Sequence, residues 1–335
     1  MKRHANVSLF IPHMGCPHQC SFCDQRRISG AAHPPQPQDI RPILEQGLRQ
    51  LGTRAHEAQI AFFGGSFTAI DADYRRALLT VAGDYIGAGG YSGIRISTRP
   101  DAIDDTILRE LKAAGVTAIE LGVQSMDDEV LQANGRGHTA QDAVHASELI
   151  RAHGFSLGHQ MMTGLFRSSP ETEWKTAHML AALQPDTMRL YPTLVLQGTE
   201  LAQLYQQGNY HPQTLDEAVT LCGELLVYFM DEGITVIRVG LHDEASLTEN
   251  LLAGPYHPAF RELCESSVLL RRLRAEIARQ ACAPGQIAVK VAPGHTSKML
   301  GQKRANARAL ADEGYDITVR ESAAVAPLAV VIDYK

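Results

Sequence analysis

Through the first 245 residues, short apolar runs alternate with longer amphipathic stretches. The runs predict strands at 7–12, 59–64, 93–98, 118–123, 156–162, 188–195 and 236–241. The stretches between them carry apolar residues at helical spacing and predict helices over 38–51, 72–86, 104–114, 139–153, 170–183 and 214–232. Asp104 and Thr139 stand where N-caps belong, because a short polar side chain there accepts from an otherwise orphaned backbone N–H. Strand–helix alternation of this length predicts a parallel sheet flanked by helices, and six or seven repeats is barrel-sized. The expected class is therefore α/β, a partial (β/α)6-type TIM-like barrel. After about residue 245 the rhythm breaks into a turn, a long basic helix, a strand–helix–helix–strand unit over roughly 286–321 and a final strand at 328–334. The expected division is a barrel over 1–245 and a small α/β C-terminal extension over 246–335.

Composition narrows this picture. Hydrophobic residues make up 44% and charged residues 20%, the balance of a globular enzyme. No run of eighteen apolar residues predicts a membrane span, and the N-terminal run "VSLFI" is too short for a signal-peptide core. The expected location is the cytoplasm, with no membrane partner, where clustered cysteines hold metal more often than they form disulfides. Charge is unevenly placed. Between Val268 and Arg308 nine basic side chains face one acid, which leaves the rest of a chain of net charge −6 strongly acidic.

The polar and Gly-rich segments fall after the strands, at the end where barrel enzymes carry their chemistry. They are "GGSFT" (64–68), "STRPD" (97–101), "GVQS" (122–125), "MMTGL" (161–165) and "YPTLVLQGT" (191–199). The loop after the first strand, "MGCPHQCSFC", holds Cys16, Cys20 and Cys23, half of the chain's six cysteines. Two metal readings stay open on spacing alone. One is zinc, with His13, His18 or His33 as a fourth ligand, although no second cysteine pair exists. The other is a [4Fe–4S] cluster on three thiolates, with one iron left free to bind a reactant. Cys222, Cys264 and Cys282 lie too far apart for a second cluster and are expected to be buried, reduced thiols.

C-x₃-C-x₂-C with an aromatic at its next-to-last position, Phe22, resembles the signature of radical S-adenosylmethionine enzymes. The segments "FFGGSFTAID", "STRPDAI", "ELGVQSMDDEVLQANGRGHT" and "RLYPTLVLQGTELAQLYQQGNY" further resemble the radical domain of the Elongator catalytic subunit. More distantly they resemble oxygen-independent coproporphyrinogen III oxidase. The resemblance covers about residues 5–245 and implies a [4Fe–4S] cluster on Cys16, Cys20 and Cys23, with S-adenosylmethionine as cofactor. It further implies reductive cleavage to a 5′-deoxyadenosyl radical and an electron donor such as flavodoxin or ferredoxin. It places cofactor contacts at Phe22, at Gly64, Gly65 and Ser66, and at Ser97, Gln124, Arg136 and Gln160. Ser97 and Gln160 replace carboxylates of the relatives, and Gln124 and Arg136 are expected in barrel loops away from the thiolates. No residue is singled out as catalytic, and Tyr191 reads as a packed strand residue rather than a radical relay. The acetyltransferase domain of the Elongator subunit has no counterpart of sufficient length after residue 245, so acetyl transfer by that route is not expected.

The segment from 286 to 321 resembles the core of a KH domain, with "GQKR" (301–304) in place of the G-x-x-G loop. Its one-sided charge points to RNA, with Lys298, Lys303, Arg304 and Arg308 as contacts and tRNA as the expected partner. The alternatives are hydrogen abstraction from a small metabolite or tetrapyrrole, and a zinc-stabilised RNA-binding protein without catalysis.

Overall fold

Seven parallel strands carry the first part of the chain. They are β1 (Ala5–Ile11), β2 (Ala58–Gly64), β3 (Ile94–Thr98), β4 (Val116–Gln124), β5 (Ser156–Thr163), β6 (Thr187–Pro192) and β8 (Thr235–Val239), side by side in that order. The structure is a computed structural model that describes residues 5–12, 14–16, 20–24, 33–241 and 245–333. Between the strands run α1 (Pro37–Leu51), α2 (Ala72–Gly83), α3 (Asp105–Ala113), α4 (Asp128–Ala133), α5 (Ala140–Ala152), α6 (Pro170–Ala182), α7 (Glu200–Gln206) and α8 (Leu215–Asp231). Six strand–helix units and a closing strand make a curled, open half-barrel, as the periodicity predicts. The expected caps form. Asp104 accepts from the Ile107 N–H at 2.8 Å, and Thr139 forms a capping box with Asp142, each worth about 1 kcal/mol of helix stability.

The sheet is buried on both faces, as parallel sheets are, but the two faces differ in chemistry. Toward the helices point Ile94 and Ile96, Ile119 and Leu121, Met161, Met188 and Leu190, all in the hydrophobic core. The alternate positions carry Arg95 and Ser97, Glu120 and Gly122, Gln160, and Arg189 and Tyr191. Of these, Ser97, Gly122, Gln160, Arg189 and Tyr191 line a cavity on the concave side. A strand's period of two thus builds a core on one side and a polar chamber on the other.

One predicted strand is broken. The run at 188–195 stops at Pro192, which has no N–H to continue the ladder. Thr193 then turns back, its N–H and hydroxyl both donating to the Thr163 carbonyl at 2.9 and 2.7 Å. The freed segment forms β7 (Val195–Leu196), which pairs antiparallel with β9 (Leu251–Ala253) just beyond α9 (Ala245–Glu249).

The expected long helix is α10 (Phe260–Arg279), which packs on α8. Beyond it lie β10 (Gly285–Val291), α11 (Thr296–Leu300), α12 (Ala305–Asp312), β11 (Tyr315–Glu321) and β12 (Val330–Asp333). They form a sheet of order β11-β10-β12, parallel on one side and antiparallel on the other. The last position of the predicted final strand, Tyr334, lies outside the described residues. One continuous apolar core joins Leu225 and Phe229 of α8 to Val268 and Leu273 of α10 and to Val289 and Ile332 beyond. Cys222 and Cys264 sit in it as buried free thiols, while Cys282 is half-buried.

His159, on the helix side of β5, is fully enclosed with Nε2 2.9 Å from the Ser147 hydroxyl. Burial lowers its pKa from 6.5 to about 3. Between those values the unfolded chain binds a proton that the folded chain does not, so this stability is complete above pH 6.5 and is lost as pH falls. The slope approaches about 1.4 kcal/mol per pH unit. Denaturant titrations at roughly pH 7.5 and 5.5 should therefore show the parent losing about 1.4 kcal/mol more than H159Q. Equal losses in the two proteins would contradict this reading.

Candidate active site

The cysteine loop is fixed by contacts that begin with glycine. Gly65 lets the Met14 carbonyl approach so closely that a Cβ there would lie 2.0 Å from its oxygen, and Gly15 meets the Ser66 carbonyl in the same way at 2.2 Å. Backbone bonds complete the interlock, Gly65 N–H to Ile11 O at 2.7 Å and Ser66 N–H to Met14 O at 2.9 Å. The loop's other end is held by Asn134, which follows α4 and is completely buried. Its carbonyl accepts from the Ser21 N–H at 3.1 Å, and its side-chain oxygen accepts from the Ser21 hydroxyl at 2.8 Å. Its amide also donates to Phe166 O at 2.9 Å. Phe22 packs against Val195, Leu201 and Tyr210 and reaches the cavity wall.

Arg136 overturns one expectation. It does not lie away from the thiols, because its Nη1 stands 3.1 Å from Cys20 Sγ while its Nη2 donates to the Gly122 carbonyl. A single buried guanidinium therefore links the cysteine loop to the end of β4. Gly122 makes room for Gln124, since a Cβ there would sit 3.1 Å from its amide nitrogen, whereas Arg136 Nη2 at 3.6 Å would be an ordinary contact. Burial and the neighbouring sulfurs push the Cys23 thiol up to about 12, and burial with Cys20 nearby raises Cys16 as well. Arg136 pulls both the other way. Thiols raised in this way need additional positive charge nearby to become thiolates.

The polar groups around the cavity fall into two sets. Ser66 is turned inward: its hydroxyl accepts from the Arg99 N–H at 3.2 Å and lies 2.9 Å from the Thr98 hydroxyl, tying the turn after β2 to the end of β3. Ser97 and Gln160 meet each other, the Gln160 amide donating to Ser97 Oγ at 2.7 Å and to Glu120 at 3.2 Å. The second set has unused capacity. Gln124 Oε1, Arg136 Nε and Arg99 Nη1 are buried without a hydrogen-bond partner, and all three residues line the cavity. Gln124 also holds a left-handed backbone, φ 71°, unusual for a residue with a side chain. An unmatched buried polar atom costs roughly 1–3 kcal/mol. Residues that carry unmatched donors and an acceptor around one cavity of about 270 Å³ fit a polar, charged ligand.

Below this layer Glu120 is held by Arg95 at 3.0 Å and Arg189 at 2.6 Å. Burial opposes its charge, but the Arg189 and Arg95 guanidiniums keep it below the usual carboxylate range. Arg189 also stacks over Phe63, 4.9 Å from the ring centroid. The chamber's far wall is apolar, with Leu194, Leu196, Leu241 and Leu247, so α9 contributes to a site expected to end near residue 245. Asn134, Arg99, Glu120 and Arg189 were not anticipated. All four stand within quoted motifs, but no spacing rule reveals their partners.

His13 and His18 lie outside the described residues, and His33 is exposed. In the C-terminal unit Lys298 is paired with Glu265 at 2.6 Å, whereas Lys303, Arg304 and Arg308 are exposed. Lys303 and Arg304 both adopt left-handed backbone, φ 50° and 60°. Much of the neighbouring basic segment is internally paired: Arg271 with Glu224, Arg274 with Glu313, Arg279 with Glu276 and Lys290 with Asp333. No helix among the described residues is long and apolar enough to cross a membrane.

Comparison with known proteins agrees with this geometry. Residues 10–180 match the model of the radical SAM superfamily, and residues 185–269 match a radical SAM C-terminal domain. A tRNA uridine(34) acetyltransferase of Methanocaldococcus jannaschii is 26% identical over 245 residues, 62% of this chain and 45% of the relative. Elongator complex protein 3 of Mus musculus is 30% identical over 206 residues, 56% of this chain and 38% of the relative. The chain thus spans about half the length of the curated relatives it matches, or less. In fold it is similar to Methanocaldococcus infernus Elp3, with a TM-score of 0.63 at 21% identity, covering 84% of this chain and 64% of that one. The cysteine spacing, the half-barrel and these matches agree, and the chain is a member of the radical SAM superfamily of enzymes.

Proposed function

We propose that this chain is a radical S-adenosylmethionine enzyme that acts on tRNA, with a [4Fe–4S] cluster on Cys16, Cys20 and Cys23. The observation that carries the cofactor assignment is Arg136, whose guanidinium touches a cluster cysteine and faces the chamber beside an unmatched Gln124 carbonyl. When bound, the cluster supplies the electron that cleaves S-adenosylmethionine to methionine and a 5′-deoxyadenosyl radical. The chain's own part is binding, orientation and exclusion of water. Arg136 and Arg99 offer free N–H groups to the methionine carboxylate, and Gln124 offers a carbonyl to a cofactor donor. Ser97 and Gln160, neutral and mutually bonded, present the wall beside the ribose. Leu194, Leu196, Leu241 and Leu247 keep water from the reactive carbon. The names of the relatives support tRNA as substrate, as does the exposed basic turn at Lys303 and Arg304. A flavodoxin or ferredoxin is the fitting class of electron donor.

Two predictions follow from these assignments. Purified without oxygen, the parent should be brown with about four irons per chain. C16A, C20A and C23A should lose the colour and C222A should keep it. R136Q removes a charge-assisted hydrogen bond from a cluster ligand and should lower the cluster's reduction potential by tens of millivolts, with about 59 mV equal to a tenfold change for one electron. An unchanged potential in redox titrations would remove Arg136 from the cluster's surroundings.

The substrate assignment is tested by supplying total tRNA to the reduced, reconstituted enzyme. Release of 5′-deoxyadenosine should rise severalfold over the slow uncoupled rate, and Q124A should weaken S-adenosylmethionine binding about tenfold, roughly 1.4 kcal/mol. Release indifferent to tRNA would favour a small metabolite as substrate.

A further inference from the structure

Arg238, on β8, is a charge without an answer. It is half-buried, its Nε is enclosed without a hydrogen-bond partner, and among the described residues no carboxylate pairs with it. Besides Tyr191, its interacting neighbours are Arg189 and Arg261, both cationic. Burial and these two neighbours pull it below the usual arginine range, with only the Tyr191 phenol acting in the other direction. Arg189 is held by Glu120, and Arg261 by Glu265 at 2.9 Å. Glu265 also accepts from Lys298 at 2.6 Å, so one carboxylate already serves two cations. A half-buried guanidinium in such company destabilises the free protein unless a ligand supplies the missing charge.

Arg238 lines a groove of about 930 Å³ between β8, the start of α10 and the loop joining β10 to α11. Leu241 lines both this groove and the reaction chamber, so the two spaces adjoin. At its other side stand His295 and Lys298, and Lys298 belongs to α11. The next turn of chain carries Lys303 and Arg304, exposed and, among the described residues, without acidic partners. That turn has a fixed shape. Asn306 is buried, and its amide donates to Ser266 O at 3.0 Å and Met299 O at 3.1 Å, anchoring the start of α12 on α10 and α11. The groove's charged lining is Arg238, Arg261 and Lys298 against Glu262 and Glu265. Arg238 thus leaves the groove with one unneutralised positive charge, and Lys303 and Arg304 add two exposed cations a few residues beyond Lys298 on the groove's other side.

We infer that this groove carries the sugar–phosphate backbone of the RNA substrate, with a phosphodiester on Arg238 and a further contact on the Lys303–Arg304 turn. The inference rests on the tRNA reading above and adds the path by which a strand reaches the chamber. Phosphate is the fitting ligand chemistry because a guanidinium matches its oxygens bidentately, and a repeating anion can meet two cationic sites at once.

The test uses the reconstituted holoenzyme, at matched iron content, and total tRNA followed by fluorescence anisotropy across a salt series. Each lost phosphate contact should flatten the log–log salt dependence by about one unit. R238Q should therefore show a slope lower by about one and K303E/R304E a slope lower by about two, while R238K stays near the parent. A second readout separates binding from architecture. R238Q should raise the melting temperature of the free protein, because it removes an unanswered charge, whereas a structural arginine would lower it. If the parent binds tRNA but R238Q leaves the slope unchanged or lowers the melting temperature, the groove is not the path and the tRNA reading stands. If the parent binds no tRNA at low salt, the tRNA reading fails and the path fails with it.

Discussion

The architecture of the site depends on one guanidinium. Arg136 reaches from the segment after α4 to Cys20 Sγ at 3.1 Å and to the carbonyl of Gly122. That contact holds the cysteine loop over the end of the central strand, β4, next to the cavity. It also places a fixed positive charge beside Cys16 and Cys23, whose ionisation is opposed by burial and by the neighbouring sulfurs. The supporting parts have little freedom. Gly122 cannot gain a side chain without crowding the Gln124 amide, and Gly65 cannot without striking the Met14 carbonyl. Asn134, two residues before Arg136, locks Ser21 beside Cys20. Direct contacts thus join the described loop residues, the strand end and the guanidinium, which is the kind of positioning a site that steers a reactive species requires.

Around that unit the sheet is asymmetric in chemistry. Its convex face merges with the helices into one apolar core. Its concave face is a layer of charge and hydrogen bonds centred on Glu120, between Arg95 and Arg189. Removing one member of such a layer would strand the others, since a broken buried ion pair costs about 3–5 kcal/mol. The apolar lid comes from later in the chain. β9 ties back to β7, and Leu247 joins Leu194 and Leu196 over the chamber. The segment after residue 245 is therefore part of the chamber as well as an appendage.

Much of the fold was legible because a parallel half-barrel repeats a simple pattern. All seven strands of the large sheet correspond to predicted apolar runs, and caps such as Thr139 mark where helices begin. The break at Pro192 was written in the sequence too, in a residue that cannot donate to a ladder. What could not be read were pairings between distant side chains. Nothing in "NGR" (134–136) says that the asparagine clasps Ser21 or that the arginine reaches a cysteine more than a hundred positions earlier. The basic segment was legible as composition and misleading as surface, since Arg271, Arg274, Arg279, Lys290 and Lys298 answer carboxylates within the fold. Charge counted along a chain does not reveal which charges are already neutralised.

The central claim is that Cys16, Cys20 and Cys23 leave one iron of a cluster open to S-adenosylmethionine in the chamber lined by Arg136 and Gln124. It is tested most directly by electron paramagnetic resonance of the anaerobically reconstituted, reduced protein before and after S-adenosylmethionine is added. The account predicts a reduced-cluster signal whose shape and g-values change on addition, because the ligand binds the open iron. A signal that forms and stays the same, or a protein that takes up no cluster, would contradict it.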